Sequence, residues 1–301
     1  MNTVLTGAAL PPPAASLTAT TLGTTGIVTS PLALGCARLG STLSPLSRKQ
    51  SYRLLEEAVA LGLRHFDTAS IYGQGDSERY LGAALKAHRP ELCLATKAGQ
   101  RLSALQALAA RFKGPIRLLS RYRAGVRQAV AERRAAGVNR CFAPGFLLRS
   151  LEGSLRRLGT DHVDIFYLHS PPAAALQADE VLLLGERLKQ AGKIRCFGVS
   201  CDDLDTALLA ARLPAVEIVQ FEPDGSATSD AIFASLHRHG KLALVRGIVR
   251  RSGGTEEALG RAFHQVLAQP AVGGVIVGTT RLDHLRHNVD AFLHHAPRLK
   301  P

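Results

Sequence analysis

The sequence contains no tryptophan and a single methionine, and aromatic residues make up only 5% of its 301 positions. A nucleic-acid platform built from stacked aromatic side chains is therefore not expected. Cysteine is scarce and unpaired in pattern. Cys36, Cys93, Cys141, Cys196 and Cys201 are odd in number and form no Cys-x-x-Cys. Neither a disulfide framework nor a zinc site is indicated, and a reducing, cytoplasmic setting is expected. No glycine-rich dinucleotide fingerprint follows an early apolar run, which speaks against a doubly wound nucleotide fold. No charged side chain occurs before Arg38, yet Pro11, Pro12, Pro13 and the Thr and Gly residues there interrupt every candidate membrane helix. No basic segment precedes the apolar residues as in a secretory signal. Residues 1–21 are expected to form a flexible tail, followed by one domain over 22–301.

Acidic residues are also in short supply, 24 against 37 Lys and Arg, for a net charge of +13. The excess is local. Between Ala98 and Phe142 ten basic residues face one acid, Glu132. No nucleic-acid motif accompanies this window. It reads either as a solvated face in an Arg-rich chain or as a device that draws an anionic substrate or acidic carrier.

Short apolar runs alternate with longer helical patterns. Strands are predicted at 32–36, 63–67, 92–96, 162–168, 194–200, 216–221, 241–246 and 273–277. Helices follow at 48–61, 76–87, 145–158, 177–191, 203–212, 228–239, 255–268 and 282–292. Gly62, Gly159, Gly192 and Gly240 stand where helices should stop. Eight strands alternating with helices predict an α/β fold, a (β/α)8 barrel with a parallel sheet. Residues 22–29 suggest a small hairpin ahead of the first strand. The stretch from Gln100 to Pro144 suggests a helical insertion after the third strand, because Leu102, Leu105, Leu108 and Phe112 recur at helical spacing, with a second helical stretch from Arg117 to Arg134.

The chemistry falls at strand ends. In HFDTASIYG, residues 65–73, Asp67 closes the second strand and Tyr72 lies in the loop after it. Lys97 ends the third strand and His169 the fourth. Such ends face the active-site side of a barrel. A phenol with a pKa near 10 is a poor proton donor at neutrality, and a neighbouring ammonium lowers that value. Asp67 would hold the ammonium, and His169 would hydrogen-bond a substrate oxygen. This is a general acid–base set for carbonyl and alcohol interconversion. Taken singly, Asp67 could cap a turn and Tyr72 could be an ordinary loop aromatic. Histidine spacings such as His284 and His287 lack companion Cys or acidic residues, so no metal site is expected.

These residues carry a resemblance to the aldo-keto reductases. HFDTASIYGQGDSERYLGAALK (65–86), LATKAG (94–99) and HVDIFYLHSP (162–171) are similar to that family's Asp–Tyr, Lys and His segments. LGTTGIVTSPLALGCARLG (22–40), IRCFGVS (194–200), IVQFE (218–222) and VIVGTTRLDHLRHNV (275–289) continue the likeness in order. The resemblance implies Tyr72 as general acid, Lys97 and Asp67 as its tuning pair, and His169 as carbonyl-orienting residue. It implies Ser200 and Gln220 at the nicotinamide carboxamide, and Arg246 against the nicotinamide ring. It further implies Gly278, Thr279, Thr280, Arg281, His284 and Asn288 around the adenosine phosphate and adenine. The implied cofactor is NADPH, with NADH as the alternative, and the implied partner is a small carbonyl or alcohol substrate, an anionic one included. Residues 246–254 (RGIVRRSGG) depart from the family's usual phosphate-wrapping loop, and His284 replaces a frequent basic residue. With the sequence ending at Pro301, substrate choice is expected to rest on other loops, the basic segment foremost. Two further readings stand beside the reductase: a non-catalytic nucleotide-binding sensor or partner subunit, and a barrel lyase or isomerase acting on an anionic substrate.

Overall fold

The computed structural model describes residues 16–41, 44–102, 138–253 and 255–295. A short hairpin opens the described chain, β1 (Thr20–Thr21) pairing antiparallel with β2 (Val28–Thr29). Its first strand lies at the end of the segment expected to be a tail. Leu17, ahead of them, is buried and donates its N–H to Leu61 O at 3.1 Å. An apolar side chain and a satisfied amide fix this stretch where composition alone suggested a tail. Residues 1–15 of that expected tail lie outside the described residues.

Eight parallel strands then close a barrel: β3 (Leu32–Gly35), β4 (His65–Asp67), β5 (Cys93–Ala98), β8 (Val163–His169), β9 (Ile194–Ser200), β10 (Ile218–Phe221), β11 (Leu242–Arg246) and β12 (Val272–Val277). Closure comes from β12 pairing with β3, Val275 opposite Leu32. Every predicted strand is present. The predicted insertion begins differently. Gln100–Leu102 (β6) and Val138–Arg140 (β7) form an antiparallel ribbon, so its ends exchange backbone hydrogen bonds where the helical spacing that starts at Leu102 predicts a helix. The helical patterns between them fall in residues 103–137, outside the described residues.

The helices form where pattern and caps coincide. α1 (Arg48–Ala60) starts on a capping box, Gln50 N–H donating to Ser47 Oγ at 3.2 Å and Ser47 N–H to Gln50 Oε1 at 2.8 Å. α2 (Asp76–Ala84) follows β4, and α3 (Pro144–Leu158) follows the ribbon and stops at Gly159, which takes φ +68°. α4 (Ala173–Leu176) and α5 (Asp179–Gln190) follow β8, α6 (Leu204–Arg212) follows β9, and α7 (Ala227–Arg238) follows β10. α8 (Ile248–Arg251) and α9 (Glu256–Leu267) follow β11, and α10 (Leu282–His295) follows β12. Asp203, Ser226 and Thr255 each accept an N–H of the first turn of α6, α7 and α9.

Two apolar layers result. The larger lies between barrel and helices and includes Leu54, Leu151, Phe166, Phe221 and Phe263. The smaller fills the barrel with Ala33, Cys93, Ile165, Tyr167, Cys196, Leu244 and Ile276. Leu22 and Ile27 of the hairpin join this inner layer, packing beside the strand starts at Leu242 and Gly273. The hairpin therefore plugs the N-terminal end and leaves the C-terminal mouth for chemistry. Among the described residues no helix is long and apolar enough to cross a membrane.

Candidate active site

The mouth is built from the ends of β4, β5, β8, β9 and β10. Asp67, Lys97, His169, Ser200 and Gln220 are all buried there. Lys97 Nζ donates to Asp67 Oδ1, and to Thr68 O at 3.0 Å. The other Asp67 oxygen accepts Gln220 Nε2 at 2.8 Å, and Gln220 Oε1 accepts the Ser200 hydroxyl at 2.7 Å. Gln220 and Ser200 are partners across β10 and β9, and Ser200 is also the partner of His169 across β8 and β9. One polar chain thus runs Lys97–Asp67–Gln220–Ser200 across the top of the barrel.

Tyr72 enters this ring from the turn after β4. The turn is tight: Gly73, Gln74 and Gly75 hold φ of +56°, +55° and +87°. A Cβ on Gly73 would lie 2.7 Å from Gly40 C and 2.8 Å from Leu39 O. The turn is therefore pressed on the backbone after β3, a position only glycine fills without displacement. Behind it Glu78 of α2, fully buried, accepts Thr96 Oγ1 at 2.7 Å and Arg157 Nε at 2.6 Å. These contacts tie α2, and with it the turn, to β5 and α3. The Tyr72 ring meets the His169 ring edge to face at 5.7 Å, and Lys97 Nζ lies 5.5 Å from its centroid.

Burial, with Asp67 adding to it, pushes the Tyr72 phenol above its ordinary value, against the pull of Arg246. Burial first, then the cations Lys97, Arg246 and Arg140, lower His169 to about 3. Its Nδ1 has no hydrogen-bond partner among the described residues. Burial also lowers Lys97, and Asp67 opposes that shift. At neutral pH the arrangement is a protonated phenol and a neutral imidazole beside the hydrogen-bonded Lys97–Asp67 pair.

Arg246, at the end of β11, joins the same mouth through a second network. Its Nη2 donates to Cys201 O at 2.7 Å and Asp202 Oδ1 at 2.9 Å. Its Nη1 lies 3.6 Å from Glu222, which Arg250 also grips at 2.6 Å. Asp202 Oδ2 accepts Ser170 Oγ at 2.6 Å, and Ser170 takes φ +50° directly after His169. No sequence pattern marks Asp202, Glu222 or Ser170 as site residues. Asp202 stands just before the helix predicted at 203–212, and Asp203 beside it serves as the cap. Gly278, Thr279, Thr280 and Arg281 lie between β12 and α10, with Gly278 exposed. Thr279 Oγ1 accepts the Arg281 N–H at 3.1 Å, and Arg281 pairs with Asp283. His284 is exposed in the first turn of α10, and Asn288 is buried one turn later.

The donor set fits a nicotinamide nucleotide. The Gln220 amide retains a second N–H and a second lone pair beyond its bonds to Asp67 and Ser200, enough to meet a carboxamide. At Gly278 a Cβ would meet nothing nearer than Gly35 O at 3.9 Å, so the backbone leading into α10 is open to a ligand. Among the described residues no cluster of His, Cys, Asp and Glu could hold a metal ion.

Comparison with known proteins agrees with this geometry. A model of the aldo/keto reductase family matches residues 31–231, from the start of β3 into α7. An uncharacterized oxidoreductase of Bacillus subtilis, YqkF, is 26% identical, over 90% of this chain and 89% of its own. The pyridoxal 4-dehydrogenase of Microbacterium luteolum is 26% identical, over 89% and 91%. The solved structure of a putative aldo-keto reductase from Pseudomonas aeruginosa superposes with a TM-score of 0.73 at 25% identity, covering 94% of this chain and 97% of that one. With a closed eight-stranded barrel and a match over most of its length, this chain belongs to the aldo/keto reductase family, a family of oxidoreductases.

Proposed function

We propose that the protein reduces an aldehyde or ketone to the alcohol, or runs the reverse oxidation, with NADPH, and that Tyr72 is the general acid. The observation that carries this reading is the buried Lys97–Asp67 pair, with the Tyr72 ring over the ammonium and edge to face with His169. Ser200 and Gln220 would hold the nicotinamide carboxamide. Gly278, Thr279, Thr280 and Arg281 would hold the adenosine phosphate, with His284 and Asn288 beside it. When bound, the cofactor supplies a hydride to the carbonyl carbon. Everything else falls to the chain. Neutral His169 donates a hydrogen bond to the carbonyl oxygen and orients it. Tyr72 delivers the proton to that oxygen. Lys97, held by Asp67, stabilises the phenolate left behind, and solvent returns the proton afterwards.

Arg246 is already committed to Cys201 O and Asp202, so its guanidinium would flank the nicotinamide as part of a fixed network. Arg250 and Arg251 are committed to Glu222 and Asp224 O. Contact between either of them and the pyrophosphate would require these bonds to exchange.

The test is titration with NADPH and NADH by nicotinamide fluorescence, followed by a panel of aldehydes and ketones. Tyr72→Phe should keep nucleotide affinity and lower kcat by roughly 100- to 10,000-fold. Saturable binding with no oxidation across the panel would favour a nucleotide sensor instead. No binding of either nucleotide would end the reductase reading.

A further inference from the structure

Below Tyr72 the barrel holds a second phenol for which the proposed reaction has no use. Tyr167 of β8 and Lys97 of β5 are direct partners across that strand pair. Tyr167 is fully buried, and its ring centroid lies 5.6 Å from Lys97 Nζ, against 5.5 Å for Tyr72. The ammonium is therefore within reach of two aromatic rings, while Asp67 and Thr68 O take two of its three N–H groups. Room for Tyr167 is made on its other side. Its partner on β9 is Gly198, where a Cβ would lie 2.7 Å from Tyr167 Cδ1 and Cε1.

The hydroxyl of Tyr167 has no hydrogen-bond partner among the described residues. An unsatisfied buried hydroxyl is a cost that phenylalanine would avoid. The part of Tyr167 that meets a neighbour's charge is its ring. We propose that Tyr167 is a positioning residue, its ring set against Lys97 across β5 and β8 so that the ammonium stays charged and in place beneath Tyr72. The role in turnover rests on the acid–base reading given above.

The physics is a balance. Burial works against the ammonium, and Arg246 from β11 adds to that, whereas Asp67 from β4 and Cys36 after β3 favour the charge. Tyr72 from the turn and Tyr167 and His169 from β8 complete the surroundings. Asp67 is the only carboxylate among them. The electron-rich face of a ring attracts a cation most strongly where water is excluded.

The experiment follows Lys97 itself by NMR titration of the full chain carrying isotope-labelled lysine, its resonance identified by its loss in Lys97→Met. Tyr167→Leu should move the midpoint down by about one pH unit, and Tyr167→Phe should stay near wild type. Singly and triply fluorinated phenylalanines at position 167 keep the ring's shape and drain its electron density. They should lower the midpoint in steps, and they serve if the Leu variant does not fold. An unmoved midpoint across the fluorinated series, or a Phe variant that behaves like Leu, overturns the proposal. In carbonyl reduction the alkaline limb of kcat should follow the NMR midpoints, with KM for the carbonyl little changed. Stepped midpoints in a protein without turnover would remove the acid–base reading and leave the Tyr167–Lys97 contact standing. Turnover abolished by Tyr72→Phe beside an unmoved Lys97 would do the reverse.

Discussion

At the scale of single residues, burial decides protonation at the mouth and in the barrel below it. His65, inward on β4, has an Nε2 with no hydrogen-bond partner among the described residues and is lowered to about 4, chiefly by burial. Unfolded histidine titrates near 6.5. Between those values the unfolded chain binds more protons than the folded one, so stability rises with pH across the window. The stability tied to neutral His65 is complete above about pH 6.5 and is lost as pH falls through about 4. Urea unfolding at pH 7 and pH 5 checks this. Wild type should lose about 2 kcal/mol more over that step than His65→Leu. Parallel losses in the two proteins would show that the imidazole is not held neutral. His65 lies within the 65–73 segment, yet nothing local in the sequence marks it, because its shift comes chiefly from burial inside the closed barrel.

At the scale of elements, the turn after β4 is the clearest case of local sequence serving a site. Gly73, Gln74 and Gly75 place Tyr72, and the buried Glu78 fastens α2 behind it. Gly73→Ala adds a Cβ against the backbone of Gly40 and Leu39 at positive φ. Displacing Tyr72 by even an ångström should lower kcat by roughly 100-fold. Nucleotide affinity should be nearly unchanged, since the proposed cofactor contacts lie on β9 to β11 and around the start of α10. Steady-state kinetics beside fluorescence titration separates the two effects, and an unchanged kcat would show that the turn is not what places Tyr72. The strands and helices themselves were legible because each apolar run and each cap is local in sequence. The β6–β7 ribbon was not, since Gln100–Leu102 and Val138–Arg140 pair across a long intervening segment whose own pattern is helical.

At the scale of the whole molecule, charge governs encounter more than fold. A net charge of +13, with the excess gathered after β5, should draw a dinucleotide or an anionic carbonyl substrate by long-range attraction. Stopped-flow association of NADPH should slow as salt rises from about 0.01 M to 0.15 M, because the screening length shrinks from about 30 Å to 8 Å. Dissociation should change less. An association rate independent of salt would leave the basic window as a solvated face. Several basic residues near the mouth are neutralised locally, Arg246 by Asp202 and Glu222, Arg250 by Glu222, Arg281 by Asp283. Steering must therefore come from charges beyond these pairs.

The amino-acid sequence alone determined the eight strands, the helices between them and the placing of Asp67, Lys97 and His169 at strand ends with Tyr72 in the turn after β4. Apolar periodicity, caps and breakers act over a few residues and need no partner from elsewhere in the chain. Which side chains meet was decided by closure of the barrel. Gln220 binding Asp67 and Tyr167 facing Lys97 are contacts between strands, and Asp202 joins Ser170 to Arg246 across the loops just beyond β8 and β9. The register of the parallel ladder sets all three, and that register exists only once every strand has a neighbour on both sides.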